Sequence, residues 1–225
     1  MSFDRVASLY DAMEAVTAGG LLQRVRTAPL EALAGRRRVL SVGEGHGRFA
    51  QACVQRFPDV ELTCVEKSAA MLSRARRRVA STRGARGRVK WVAASLPEWL
   101  PAQHAFDAIV TCFFLDCFPP DELAAVVATL AQAATANAVW LVADFSVPPR
   151  GVARWRALGI HAAMYAFFRV VTRIRARRLT PPDGFLAAGG FSLVSRQVFD
   201  WGLLHADLWR RGPPQGIATS LAAET

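Results

Sequence analysis

The residues best suited to chemistry fall into two sets. The first is a turn, Gly43-Glu44-Gly45-His46-Gly47. Glycine at alternate positions lets the chain take positive φ and lets a ligand lie against bare backbone. A helix opening just beyond it points N–H groups and the positive end of its dipole at whatever binds there. The second set holds or moves protons: Asp116, Asp144, His161 and Tyr165. His161 and Tyr165 are one helical turn apart and share a face, which suits a base and a binding group acting together. Each also has a plain structural reading: Asp144 as a cap or loop aspartate, His161 and Tyr165 as core or interface residues.

The elements that must position these groups alternate strand with helix. Residues 38–43 read as a buried strand, His46 to Phe57 as a helix stopped by Pro58-Asp59, and Val60 to Val65 as a second strand ending on Glu66. Ser68 is a good N-cap for a helix over 69–81. Residues 88–93 make a short third strand, 96–101 a turn, 106–112 a fourth strand, 121–134 a helix and 138–144 a fifth strand. Strands that are continuous apolar runs, joined by helices, imply a parallel sheet covered on both faces. Ligands of such sheets bind at the carboxyl ends of the strands, near the point where strand order reverses. The glycine turn, Glu66, the 93–97 loop, the 112–118 loop and Asp144 all fall at such ends.

Outside this core, apolar groups at Phe3, Val6, Leu9, Tyr10, Met13 and Val16 have helical spacing, and a second helix is expected from Leu21 to Leu33, ended by Gly35. Residues 152–178 read as a long helical insertion after strand five, with Trp155, Leu158, Ala162, Tyr165 and Phe168 on one side and a basic far end at Arg169, Arg173, Arg175, Arg177 and Arg178. A substrate lid, a membrane-facing helix and a helix merely packed on the sheet all fit that pattern. Phe191–Phe199 and Leu203–Arg210 then form a hairpin about Asp200-Trp201-Gly202, so the sheet ends antiparallel. The expected organisation is one domain: a helical cap over 1–35, a core over 36–145, a helical lid over 146–188, a closing hairpin over 189–211 and a poorly ordered tail over 212–225.

Composition narrows the classes. With 225 residues, 52% hydrophobic and 20% charged, the chain is not a disordered protein. No apolar run reaches the roughly 20 residues of a membrane span, and no signal-peptide core follows the N-terminus, so a cytoplasmic address is expected. The net charge is +10, carried almost wholly by arginine. Base composition of the genome explains that as readily as an anionic membrane surface or acidic substrate does. No nucleic-acid motif accompanies the arginines, and none is expected as a partner. Arg74, Arg76, Arg77 and Arg78, with Arg83, Arg86 and Arg88 beyond them, read as a solvated face. Cys53, Cys64, Cys112 and Cys117 read as buried and reduced rather than as a metal site, although Cys112-x4-Cys117 has the spacing of half a zinc site.

Two ligand classes use a turn like 43–47. Gly45-x-Gly47-x-x-Ala50 formally matches a dinucleotide fingerprint, which points to an NAD(P)-linked oxidoreductase. The simpler reading is G-x-G-x-G directly after the strand. In that form Val39 to Ala50 resembles motif I of class I S-adenosylmethionine-dependent methyltransferases. Glu66 resembles their acidic ribose-binding residue, whose carboxylate accepts hydrogen bonds from both ribose hydroxyls, and Phe106-Asp107-Ala108-Ile109-Val110 is similar to their fourth motif. The resemblance implies a doubly wound, Rossmann-like, mostly parallel seven-stranded sheet with a closing antiparallel hairpin. It implies S-adenosyl-L-methionine as cofactor, held by Gly43, Glu44, Gly45, Gly47, Glu66, Lys67, Ala94, Ser95 and Phe113, with His46 touching it and Tyr10 closing the site. Phe113 and Phe114 are candidates for a pocket wall or for core.

Phe3 to Met13, with Gly20, Arg26 and the later Asp144-Phe145-Ser146-x-Pro148, resembles the ubiquinone/menaquinone C-methyltransferase branch. The Tyr-Asp-x-Met-Asn signature of that branch ends here in Glu14, so its architecture is expected and its quinone substrate is not. Two further departures stand out. Ser41 replaces the usual motif I acid, and Ala94 replaces the acid that meets the adenine amino group. A backbone N–H of Ala94 or Ser95 is left to serve the ring, and Glu44 is left to take over part of the missing charge. A small lipophilic or aromatic acceptor is expected, with Asp144, Asp116, His161 and Tyr165 around the transferred methyl. A degenerate, non-catalytic membrane- or partner-binding member of the fold is the remaining alternative.

Overall fold

The structure, a computed structural model, describes residues 19–85, 87–172, 176 and 178–212. The expected helix over 3–16, the position of Tyr10 and the tail from 213 lie outside the described residues.

Seven strands form one sheet in the order β3-β2-β1-β4-β5-β7-β6. They are β1 (Arg38–Val42), β2 (Glu61–Glu66), β3 (Val89–Ala93), β4 (Phe106–Cys112), β5 (Ala134–Phe145), β6 (Phe191–Phe199) and β7 (Leu204–Arg211). Strands β1 to β5 pair in parallel, while β7 runs antiparallel between β5 and β6. Strand order reverses between β1 and β4, which opens a crevice at their carboxyl ends.

The described helices are α1 (Gly19–Thr27), α2 (Arg48–Arg56), α3 (Ala69–Ala80), α4 (Pro120–Ala133), α5 (Gly151–Thr172) and α6 (Asp183–Ala188). One face of the sheet packs Leu40, Val42, Ile109, Trp140 and Val142 against Leu123, Val126, Val127 and Leu130 of α4. The other packs Val39, Leu62, Cys64, Val110 and Leu141 against Phe49, Cys53 and Val54 of α2. Central strands buried on both faces carry apolar residues without alternation, which is why β1 and β4 read as continuous runs.

Three local outcomes differ from the sequence expectations. The helix expected over 21–33 ends at Thr27 and resumes as a 3-10 turn over Leu30–Leu33. Pro29 between them has no N–H and restricts Ala28, so the helix cannot run through. The first core helix starts at Arg48 rather than His46, because Gly47 caps it with φ 85°. Finally, the stripe drawn through Trp155 turns inward only in part: among the described residues of α5 the buried positions are Ala157, His161 and Tyr165, spaced by four, while Trp155 and Ala162 are exposed.

Two arginines of the supposed solvated face are structural. Arg78 Nε donates to the carbonyl of His46 at 2.9 Å and so braces the glycine turn from α3. Arg88 donates to the carbonyls of Val54 and Phe57, satisfying open groups at the end of α2. Ser68 caps α3 as its residue type predicts, accepting the N–H of Met71 at 3.2 Å.

Candidate active site

A cavity of about 640 Å³ opens at the carboxyl ends of β1, β2 and β4. That volume lies in the range of small-molecule and cofactor sites. Gly43, Glu44, Gly45, His46, Glu66, Lys67, Ala94, Ser95, Phe113, Asp116 and Tyr165 all line it.

The glycine turn is held from three sides. Gly43 and Gly45 sit at φ 70° and 61°, where a side chain is strained. The Gly43 and Glu44 amides both donate to Val65 O, which ties the turn to β2. A Cβ at Gly43 would overlap the Phe114 ring, so the glycine also lets Phe114 close over the turn. Glu66 then locks the arrangement. Its Oε2 accepts the Gly45 N–H at 2.9 Å and its Oε1 accepts the Ser68 N–H at 2.8 Å. The two amides orient the Glu66 carboxylate at the cavity wall.

Glu44 fills the space left by the short Ser41. Ser41 Oγ donates to Glu44 Oε2 at 2.5 Å, and the Ala50 N–H donates to Oε1 at 2.9 Å. Burial outweighs these bonds and pushes the Glu44 carboxyl up to about 7. Arg26, a residue that the periodicity of α1 did not single out as a wall, is buried beside it and lies 5.0 Å over the Phe113 ring. Phe113 itself has φ 54°, rare for a bulky residue, and its N–H is held by Ala143 O at 2.7 Å. The end of β4 is thereby strained so that this ring enters the cavity.

At the other end lie the acids. Asp144 is buried; its Oδ2 accepts the Asp116 N–H at 3.3 Å and its Oδ1 accepts its neighbour Phe145 N–H at 2.8 Å. The two carboxyls lie close enough to influence each other's ionisation. Burial pushes Asp116 up to about 6, and burial plus the adjacent Asp116 pushes Asp144 well above the usual carboxylate range. Tyr165 Oη donates to Asp116 O at 3.0 Å, joining α5 to the acids. Phe114, Phe118, Phe145 and Met164 supply apolar wall around them.

Several expected site residues stand elsewhere. Gly47 is not on the cavity wall: a Cβ there would lie 2.7 Å from Ala75 Cα, so it serves the close packing of α2 on α3. The second glycine of the formal dinucleotide fingerprint therefore faces a helix, not a space for pyrophosphate. Asp144 lies behind Asp116 rather than on the wall. His161 is buried against Phe145 with ring centroids 5.7 Å apart, off the wall, and both its ring nitrogens lack a hydrogen-bond partner among the described residues. Burial lowers its pKa, so it stays neutral. The Ala94 N–H is spent on Glu66 O at 3.3 Å, which leaves the ring-binding part to Ser95. His46 Nε2 accepts from Arg48 Nε at 2.9 Å and is thus held in the turn. The cysteines are free; Cys53 and Cys64 are buried, whereas Cys112 and Cys117 are half-buried at the cavity. Burial pushes all four thiols up, Cys53 to about 12.

Residues 39–137, from β1 into β5, match the family model of a methyltransferase domain. Comparison with curated protein sequences finds no match. Among solved structures, the mitomycin 7-O-methyltransferase MmcR aligns with TM-score 0.68 and 17% identity over 94% of this chain and 61% of its own. The 1,6-didemethyltoxoflavin-N1-methyltransferase of Burkholderia thailandensis, solved with S-adenosylhomocysteine, aligns with TM-score 0.64 and 21% identity over 93% of this chain and 86% of its own. The magnesium protoporphyrin IX methyltransferase of Synechocystis PCC 6803, also with bound SAH, gives 0.63 and 14% over 84% and 83%. This chain thus spans less than two thirds of the mitomycin enzyme's length, and at these identities the likeness is one of fold.

Proposed function

We infer that this chain, whose residues 39–137 match a methyltransferase domain, is an enzyme that transfers a methyl group from S-adenosylmethionine to a small-molecule acceptor. The observation that carries this reading is the cavity itself. It runs from the Glu66-pinned glycine turn to the Asp116–Tyr165 end in one continuous space. The donor set fits the cofactor: an oriented carboxylate for ribose hydroxyls, an open glycine backbone for the methionine end, and apolar wall from Leu96 and Phe114 with Ser95 for the base.

When bound, the sulfonium supplies a methyl group already activated for in-line displacement. The protein's part is to position the acceptor and exclude water. Phe113, Phe118, Phe145 and Met164 form a pocket suited to a lipophilic or aromatic acceptor. Tyr165 fixes the loop that carries Asp116. An acceptor that must lose a proton gives it to Asp116. Two adjacent carboxyls resist double ionisation, and the Asp116 carboxyl, pushed up to about 6, is a stronger base than an ordinary aspartate. Asp144 acts through it, holding the Asp116 N–H. Support for the ubiquinone/menaquinone branch rests on residues 3–13, outside the described residues, on Gly20 and Arg26, and on the 144–148 stretch, so no quinone acceptor is assigned.

The test is transfer of labelled methyl from S-adenosylmethionine to a panel of phenols, hydroxyquinones and heteroaromatic amines. Label in any product supports the reading. Absence of both cofactor binding and transfer rejects it.

A further inference from the structure

One corner of the molecule carries apolar side chains in water. Val152 is 79% exposed, Trp155 74%, Val198 61% and Trp201 75%. They come from two places, the start of α5 and the β6–β7 hairpin, and the structure fastens these together. Arg156 Nη2 bridges Asp200 Oδ2 at 2.9 Å, and Arg156 Nη1 also donates to Asp200 O. Trp155 and Trp201 each adjoin one end of that bridge in sequence. Behind it, a Cβ on Gly202 would lie 2.7 Å from Pro148 Cγ, and Arg154 Nη1 donates to Pro148 O at 3.3 Å.

The turn is built at a cost. Asp200 and Trp201 have φ of 47° and 56°, two successive non-glycine residues in the left-handed region. Such strain persists where the surroundings over-determine it. Here it leaves Trp201 projecting into solvent instead of folding it onto the sheet.

The charge on this corner has one sign. Arg150 and Arg154 are exposed beside the tryptophans. Across residues 148–156 and 196–202 the single acid is Asp200, and Arg156 neutralises it. Arginines around projecting tryptophans match a bilayer surface, where indole rings sit at the headgroup level and basic side chains meet anionic lipid. A second copy of the chain fits less well, because a two-fold contact would bring two patches of the same positive sign together. No helix among the described residues is long and apolar enough to cross a membrane, so the contact would be peripheral.

We propose that the Val152–Trp155–Val198–Trp201 corner, with Arg150 and Arg154, docks the protein on an anionic lipid surface. The same helix, α5, carries Trp155 at this corner and Met164 and Tyr165 on the cavity wall. Docking would thus place a helix that also lines the cavity at a surface where lipophilic compounds are concentrated. The docking itself does not depend on the methyl-transfer reading.

The test is co-sedimentation of the full chain with vesicles of phosphatidylglycerol and phosphatidylcholine, and with vesicles of phosphatidylcholine alone. The expected result is salt-sensitive binding to the first and at least tenfold weaker binding to the second. The double variant Trp155→Ala/Trp201→Ala and the double variant Arg150→Ser/Arg154→Ser should each lower binding to the anionic vesicles by about tenfold or more. Circular dichroism should show both still folded, since all four side chains are exposed. Absence of vesicle binding, binding that neither double variant weakens, or equal binding to neutral vesicles overturns the proposal. So does a lipid-free dimer that Trp155→Ala/Trp201→Ala dissolves, which would assign the corner to a second copy.

Discussion

The hydroxyl of Ser41 donates to Oε2 of Glu44 at 2.5 Å, so the last turn-facing residue of β1 and the second residue of the glycine turn form one unit. Serine carries only a neutral hydroxyl, and Glu44 reaches back to bring a carboxyl to this place. The carboxyl is buried, and its ordinary value of 4.5 rises to about 7. This sets a direction for stability. The folded state holds the proton more tightly than the unfolded chain, so the contribution is fully present below 4.5 and is lost as pH rises through about 7. The full shift corresponds to roughly 3 kcal/mol. Thermal midpoints of the wild type and Glu44→Gln, measured from pH 4 to pH 8, should diverge across that window, with the wild type losing ground as pH rises. Parallel curves would show that Glu44 is ionised normally.

Gly43 and Phe114 should be coupled. A methyl at Gly43 meets both a left-handed φ of 70° and the Phe114 ring. The conformational part costs about 1–2 kcal/mol, and the overlap adds about 1–3 kcal/mol. Urea denaturation should therefore show Gly43→Ala destabilised by about 2–5 kcal/mol. In a Phe114→Ala background the same change should cost at least about 1 kcal/mol less. Simple additivity would mean that the ring moves aside.

For an acceptor that gives up a proton, activity should fall as pH drops through about 6, because Asp116 must be ionised to receive it. Asp116→Asn should remove that acid limb and reduce kcat by about a hundredfold. Affinity for S-adenosylhomocysteine should stay near wild type, since the glycine turn and Glu66 are untouched. A variant that keeps the acid limb would place the base elsewhere.

The fold was legible because burial writes itself into composition. Strands such as 106–112, covered on both faces, become unbroken apolar runs, and Ser68 caps α3 by the chemistry of its hydroxyl. Closure of the sheet by β7 followed from two strand-like segments joined by a three-residue turn. The turn itself was legible where residue type dictates geometry: Gly43 and Gly45 take the positive φ of the turn, and Glu66 receives its amide. What stayed hidden depends on direction in space. Gly47 has the same sequence signal as Gly45 but meets Ala75, and spacing cannot tell a ligand from a neighbouring helix. Arg26 turns inward because Phe113 offers its ring, a contact across 87 positions of sequence. Arg78 and Arg88 looked like solvated charge because carbonyl acceptors at helix and turn ends carry no sequence signature of their own. Trp155 would fit an apolar stripe by count alone, yet the buried positions fall at 157, 161 and 165.

Glu66, pinned by the Gly45 and Ser68 amides, should hold the ribose of S-adenosylmethionine. Calorimetric titration of wild type and Glu66→Ala with S-adenosylhomocysteine tests it most directly. Loss of charge-assisted hydrogen bonds worth about 1.5–3 kcal/mol should weaken binding by roughly tenfold to a hundredfold, with circular dichroism confirming a folded variant. No heat of binding in the wild type, or equal affinity in Glu66→Ala, would contradict it.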